Sequence, residues 1–591
     1  MRLDKLTIGS VKNSPTHQFK NLKNVTVDFD QDHWVTVVIG WNGTGKSNVL
    51  EALAIIFRDL ITYKGLSAEK RKEIPRFAFK LSYRIGAGET LRHIHIDADP
   101  DREKDALLIR VADAMQIEQN NTAHGVLDFG EDADKPPQGE PIKLMTFLNS
   151  DPEYLPRYVF SYYSGESSRM HEVFRPYLET YDNKLRNGED PGLKRLFYAL
   201  PVHSQFVLLA FMIKQSTEVR ALLENDMGID PDEGIESVLF VLKQPGWSKR
   251  RGKRKVDGAG DDRFWGSKGV VQIFLDRLQD IALAPIRIKR DKQITLWNKE
   301  TTEFQYLFVK DIDALRRLVG EQLPAHFFRD LESTYVSELI EEVRIRVRLK
   351  KNDGSVTFRE LSEGEQQLLT VLGLLRFTAE EESLFLLDEP DTHLNPRWSV
   401  DYIAYLKQFI TSSTKQQETS HILLTTHNPL AIAELDREQV QILRLHKLDG
   451  HRQIVACYPE MAPRGMGYAA IVTSDMFGIA SSLDYPTQEL LETQRAFAAK
   501  DKLTPDEQSE LDGINAQLDR LGFRFFHPDD EYSRYLRLRN ELLAQQFETE
   551  QPKELGKKVV QMSRTEREDL AKQLIAELLA SEANSSRGTA S

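Results

Sequence analysis

The chain is poor in what several protein classes require. Among 591 residues there is one cysteine, Cys457, so it can form neither an internal disulfide nor a cysteine-ligated zinc site, which fits a reducing compartment. No stretch approaches the ~18 consecutive apolar residues of a membrane helix, and no span is expected. The first residues, Met1-Arg2-Leu3-Asp4-Lys5-Leu6, mix charge with apolar positions and read directly into a strand rather than a signal peptide. A cytoplasmic location is therefore expected. Sustained heptads are missing, which argues against a long coiled-coil arm. Positive charge is also in deficit: 78 Lys and Arg against 91 Asp and Glu leave a net charge of −13, so overall electrostatics make no case for a polyanion partner. The length exceeds one hydrophobic core and implies two to four structural units.

Charge is nevertheless unevenly spread. From Lys243 to Glu300 there are fifteen Lys and Arg against seven Asp and Glu, a local excess of eight. Within it, Lys249, Arg250, Arg251, Lys253, Arg254 and Lys255 form a basic run between Trp247 and Phe264-Trp265. Charge beside aromatics suits phosphate and base contact, and equally describes a solvated loop. Further on, Arg344, Arg346, Arg348 and Lys350 alternate with Val343, Ile345, Val347 and Leu349, the period of an amphipathic strand.

What is present in strength is a phosphate-binding pattern. Val35-Thr36-Val37-Val38-Ile39 is a β-branched run, then comes Gly40-Trp41-Asn42-Gly43-Thr44-Gly45-Lys46-Ser47, then an apolar stripe at Leu50, Leu53, Phe57 and Leu60. This reads as strand, glycine loop and helix. Such a loop turns backbone N–H groups around a β-phosphate, and the helix adds its positive end to the same anion. Asn42, Gly43, Gly45, Lys46, Ser47 and Asn48 are the candidate phosphate contacts, with Lys46 reaching the β- and γ-phosphates and Ser47 ligating Mg²⁺. Trp41 is bulky for this loop and either packs near the base or a partner or is a simple surface aromatic.

A second strand, Ser383-Leu384-Phe385-Leu386-Leu387, ends in Asp388-Glu389-Pro390. It is expected beside the first strand in a parallel sheet, with Asp388 holding Mg²⁺ and Glu389 accepting a proton from the attacking water. Three further segments surround it: Leu361-Ser362-Glu363-Gly364-Glu365-Gln366-Gln367 before a helical stretch, Asp391-Thr392-His393-Leu394-Asn395-Pro396 after it, and the strand His421 to Thr426 leading to His427-Asn428-Pro429.

These five elements, in this order, resemble the P-loop, signature, Walker B, D-loop and H-switch of ABC-type ATPases with SMC- and RecF-like heads. The resemblance implies an α/β head with a mixed central sheet flanked by helices and an N-terminal β lobe. It implies ATP and Mg²⁺ as cofactors, with Lys46, Glu389 and His427 catalytic. It also implies a self-associating chain whose Ser362, Gly364 and Glu365 meet the nucleotide held by Lys46 of a second copy. One departure stands out: the stretch Arg157 to Glu166, where such heads carry a metal-sensing glutamine, has none.

The organisation expected is residues 1–165 as the first ATPase lobe, 166–330 as a helical insertion, 331–460 as the second lobe, 461–580 as a mainly helical partner-docking region and 581–591 as a disordered tail. No early glutamate with a later Asp-x-Asp follows His427, as the nuclease-fused OLD-type relatives would need. The compact head, the insertion and the segment Gly465 to Phe477 resemble instead the PtuA-type ATPases of Septu and retron-associated anti-phage systems. That resemblance implies a chain that is not itself a nuclease but scaffolds a separate HNH-type nuclease, in retrons also a reverse transcriptase with its RNA-linked DNA, with nucleic acid within the complex and no membrane. A RecF-like DNA-repair ATPase is the alternative reading. An ABC transport subunit is disfavoured by the split head and long insertion.

Overall fold

The computed structural model describes residues 1–113, 139–165, 168–249, 260–293, 299–350, 355–378, 382–411, 420–448, 451–500, 502–523, 530–549, 551–562, 566–567 and 569–576. Two compact units divide it, Met1–Gly465 and Met466–Ser591. Among the described residues no helix is long and apolar enough to cross a membrane.

Three sheets build the first unit. An antiparallel sheet has the order β2-β1-β4-β5-β6-β7, from β1 (Arg2–Ile8), β2 (Val25–Asp28), β4 (Phe79–Ile85), β5 (Arg92–Ala98), β6 (Leu107–Asp113) and β7 (Glu140–Ile142). A register shift between Leu3 and Lys5 in the β1–β4 pairing explains why Leu3, Leu6 and Ile8 are all buried although strict alternation would send Leu3 and Leu6 to opposite faces. The central sheet has the order β18-β17-β3-β16-β15-β8-β9. Its strands are β3 (Val35–Gly40), β8 (Tyr158–Tyr163), β9 (Leu196–Tyr198), β15 (Ser383–Asp388), β16 (His421–Thr425), β17 (Val440–Leu448) and β18 (His451–Cys457). All pair in parallel except β18, antiparallel to β17.

Helix α1 (Lys46–Thr62) lies between these two sheets, so it is buried far beyond the Leu50-Leu53-Phe57-Leu60 stripe. Val49, Ala52, Ala54 and Ile56 share one core with Leu6 and Val27 of the first sheet and with Leu384, Leu386 and Leu423 of the second. The helix is thereby clamped at the position where its N-terminus meets the phosphate loop.

The strand ending in Asp388 is not the neighbour of β3, as its sequence suggests: β16 lies between them. Interior strands of a parallel sheet are apolar on both faces, so β3, β15 and β16 read alike and carry no signal of lateral order. Strands also occur where a helical insertion was expected. Residues 166–330 supply β9 to the central sheet and three strands to a third, antiparallel sheet of order β11-β12-β10-β13-β14, from β10 (Ile235–Lys243), β11 (Leu283–Gln293), β12 (Lys299–Val309), β13 (Ile340–Arg348) and β14 (Ser355–Thr357). An apolar run such as Val238 to Leu242 cannot be told from buried helix by hydrophobicity alone. The helices expected there do form, α2 (Arg169–Asn187), α3 (Val202–Phe211) and α4 (Gly269–Ile281), followed by α5 (Ile312–Val319) and α6 (Pro324–Val336). Beyond them lie α7 (Glu363–Thr378) and α8 (Pro396–Thr411).

In the second unit α9 (Tyr485–Ala498), α10 (Pro505–Arg520), α11 (Asp530–Phe547) and α12 (Pro552–Gln561) pack through small apolar clusters. Thr504 caps α10 in a reciprocal box with Glu507, as the Thr-Pro-Asp-Glu pattern predicts. Further along the mainly helical region, Leu570 and Leu574 are buried and Ile575 is exposed; Leu578, Leu579 and residues 581–591 lie outside the described residues.

The central sheet buries a histidine at a cost. His421 opens β16 fully buried, its Nε2 3.3 Å from Thr36 Oγ1. Burial pushes its pKa down from 6.5 to about 3. Between those values the unfolded chain takes up a proton that the folded chain refuses, so stability is present above pH 6.5 and is lost as pH falls towards 3. His421→Gln, which cannot titrate, is expected to flatten that acid limb when melting temperature is followed against pH; an unchanged limb would assign it to other groups.

Candidate active site

The phosphate loop lies between β3 and α1, and its path depends on glycine. Gly43 and Gly45 have φ of +85° and +91°, the left-handed region that side chains resist. At Gly45 a Cβ would also stand 2.7 Å from Leu22 Cδ2 and 2.8 Å from Asn21 Oδ1. Asn21 is a residue that motif reading missed. Its amide donates to Gly43 O at 2.8 Å and its Oδ1 accepts from Asn48 Nδ2 at 2.7 Å, tying the middle of the loop to the first turn of α1. Asn42 is exposed at the loop, and Trp41 is two-thirds exposed.

Lys46 is buried, and its ammonium donates to Gly40 O at 2.9 Å and Trp41 O at 3.5 Å. Burial lowers its pKa, against the pull of Glu389 and Asp388. A desolvated cation with carbonyl partners in a loop of N–H donors suits an incoming phosphate. On the neighbouring strand ends, Asp388 Oδ1 accepts from Ser47 Oγ at 3.1 Å and from Thr425 Oγ1 at 2.5 Å. Burial raises its pKa, partly offset by those two hydroxyls. A buried carboxylate beside hydroxyl oxygens is a donor set fitting a hard divalent cation such as Mg²⁺. Ser47 and Asp388 are thus brought together across β16, which contributes Thr425 itself.

Glu389 follows with a left-handed backbone, φ +52°, an uncommon conformation for a non-glycine residue and a mark of imposed geometry. Its N–H donates to both Thr425 O and Thr425 Oγ1 at 3.1 Å, and its Oε1 lies 3.0 Å from His427 Nε2. The His427 bond is the largest cause of its lowered pKa, so the carboxylate is ionised near neutrality and can accept a proton. Next to it, buried Asp391 accepts from Thr426 Oγ1 at 2.8 Å, and burial raises its pKa to about 6.

The segment expected to carry a glutamine does run beside Walker B: β8 pairs with β15, Tyr163 opposite Asp388. Past its end, Ser164 N–H donates to Asp388 O at 3.3 Å and its hydroxyl lies 3.2 Å from Thr392 Oγ1. A hydroxyl residue therefore stands at the strand end, held against the Asp388 backbone.

At the signature, Ser362 precedes α7 and closes its N-terminus with Glu365. The Glu365 carboxylate accepts from Ser362 N at 2.7 Å and Ser362 Oγ at 2.8 Å, and Glu365 N donates back to Ser362 Oγ at 3.2 Å, a capping box. A Cβ on Gly364 would stand 2.5 Å from His393 O, so glycine here lets the D-loop backbone close on the signature. Among the described residues no hydrogen bond joins Ser362, Gly364 or Glu365 to the phosphate loop. Of the basic run, Lys249 ends a short helix, Gly246–Lys249; Arg250, Arg251, Lys253, Arg254 and Lys255 lie outside the described residues.

Two family models match, one described as an AAA ATPase domain over residues 5–124 and one as an AAA domain, putative AbiEii toxin, type IV toxin–antitoxin system, over 296–433. The first of these regions contains Gly40 to Ser47 and the second contains Ser362, Asp388, Glu389 and His427, so the segments that carry the site are similar to AAA ATPase domains. Among individual proteins, the chain is similar to Septu protein PtuA of Bacillus mycoides (strain KBAB4), 23% identical over 163 residues. That match covers 26% of this chain and 22% of the relative, so the chain spans about a fifth of the length of the curated relative it matches. Among solved structures, the SMC head domain from Thermotoga maritima is 11% identical, covering 77% of this chain and 99% of that one with a TM-score of 0.28. The Smc head domain with an extended coiled coil bound to the C-terminal domain of ScpA, from Pyrococcus furiosus, is 13% identical, covering 77% and 96% with a TM-score of 0.28.

Proposed function

We propose that the chain is the ATPase subunit of an anti-phage defence complex, in which ATP-dependent pairing of two heads scaffolds and restrains a separate HNH-type nuclease. The observation that carries the ATP-dependent pairing is the division of the site. Lys46, Ser47, Asp388, Glu389 and His427 converge at the strand ends, whereas Ser362 bonds within its own capping box. A second copy's signature is the natural donor to the γ-phosphate, and the Glu365 carboxylate would turn away when that phosphate takes its donors.

In this reading Lys46 and the loop N–H groups bind the phosphates. Mg²⁺, held by Ser47 and Asp388, would neutralise charge on them. Glu389 takes the proton of the attacking water, and His427 holds the Glu389 carboxylate in place. A cavity of about 440 Å³ lined by Asn13, Ser14, Pro15, Gln18, Lys20 and Lys23 adjoins Asn21 in the chain and is sized for a nucleoside. The chain does not itself cut nucleic acid, and the region 461–580 docks the partner nuclease. The link to defence rests on the similarity to PtuA.

Purification of the tagged chain expressed from its native operon tests the assembly. A nuclease recovered in fixed stoichiometry, and retained through gel filtration, is the expected result. A chain recovered alone that binds DNA tightly would favour the RecF-like alternative.

A further inference from the structure

The third sheet has one face covered by helices and one face open along β13 and β11, with Val241, Phe304 and Thr302 buried between those strands. Val343, Ile345 and Val347 of β13, paired with residues such as Phe240 and Val238 of β10, are buried, and α4, α5 and α6 pack on this sheet through β12, β10 and β13. The opposite face follows from register, since residues directly paired across strands share a face. Arg344 pairs with Leu239, which pairs with Phe308; Glu342 pairs with Val241, which pairs with Tyr306, which pairs with Ile286. Arg346, Arg348 and Arg290 lie on the same face, the last opposite Thr302.

This face combines aromatic rings with arginines. The Arg290 guanidinium lies over the Tyr306 ring at 5.3 Å. Arg344, Arg346 and Arg348 are exposed; Arg344 contacts Glu342 at 2.9 Å and Arg348 contacts Glu233 at 3.2 Å. The outer strand β11 is exposed from Leu283 to Asp291 and carries Arg287, Lys289 and Arg290 beside exposed Ile286 and Ile288. Like charges along an edge strand oppose pairing with the same strand of a second copy. Cations interleaved with flat apolar groups instead match an anionic backbone with exposed base faces.

We propose that the open face of this sheet is a binding platform for single-stranded nucleic acid, with bases stacking on Tyr306 and Phe308 and phosphates meeting Arg290, Arg344 and Arg346. It is independent of the nucleotide site and does not use the basic run 249–255. It also has a route to that site. Strand β14 pairs with β13, and Thr357 at its end caps the turn Phe358–Glu360 that leads to Ser362, so a strand held on the platform lies a few residues from the signature.

The test is fluorescence anisotropy of the full-length chain without ATP, using labelled oligothymidine and oligouridine of about 20 nucleotides and a duplex of equal length. Wild type is expected to prefer the single strands. Tyr306→Ala should weaken their binding by about 5- to 150-fold while Tyr306→Phe retains it, and Arg346→Gln should lower the salt slope by about 0.7; unchanged melting temperatures would exclude misfolding. The proposal is overturned if wild type binds no single strand, if the duplex binds as well and Tyr306→Ala is silent, or if hydrogen exchange protects 283–290 only when a co-purified protein subunit is bound.

Discussion

Replacing Glu389 by Gln is expected to lower ATP turnover by about 10²- to 10⁴-fold while leaving nucleotide binding intact, so that the chain accumulates as an ATP-bound dimer. The substitution is nearly isosteric and keeps an oxygen for the 3.0 Å contact to His427, but an amide cannot take up the water's proton. Asp388, Ser47 and Lys46, which the proposed function assigns to Mg²⁺ and the phosphates, are untouched. Phosphate release should therefore fall without a matching rise in the ATP concentration needed for binding. Light scattering with ATP should report a doubled mass that persists. A variant that hydrolyses ATP at the wild-type rate would remove Glu389 from the role of base.

Mixing two inactive chains should restore activity if the site is shared. Lys46→Ala removes the buried cation from one P-loop, and Ser362→Arg blocks one signature; each homodimer then has two defective sites. In an equal mixture half of the dimers are mixed, and each has one intact site, made of the P-loop of the Ser362→Arg chain and the signature of the Lys46→Ala chain. About a quarter of wild-type turnover is expected. Mixtures as inactive as their parents, with subunit exchange shown by labelled chains, would place the whole site within one chain. The capping box of Ser362 with Glu365 makes the trans arrangement testable further, because Glu365 must leave those donors for a phosphate to gain them.

Each residue of the candidate site that was legible in sequence sits in a short segment whose chemistry requires a fixed local path. Gly43 and Gly45 adopt positive φ, and Lys46 and Ser47 open the helix that follows; that geometry is local, so eight consecutive residues disclose it. Asn21 and Thr425 were not legible. Asn21 reaches Gly43 from 22 positions away, and Thr425 bonds Asp388 from 37 away, so no window of sequence holds both partners. Ser164 is an intermediate case: the segment Arg157 to Glu166 stands out in sequence for its missing glutamine, but the residue standing at its end was visible only once β8 was paired with β15.

The sequence by itself determined that a glycine loop, a Leu-Ser-Glu-Gly-Glu segment, a pair of strand-end acids and a histidine after a further strand occur in that order, because each depends on residue types at fixed local spacing. It also determined the amphipathic alternation of β13, which a period of two encodes directly. Only the tertiary structure decided that β16 separates the two Walker strands and supplies Thr425, that the D-loop backbone closes on Gly364, and that residues 235–357 build a sheet with one open aromatic and basic face. Strand order and face pairing arise from contacts between segments distant in the chain, and several combinations of apolar strands satisfy the same local pattern until packing selects one.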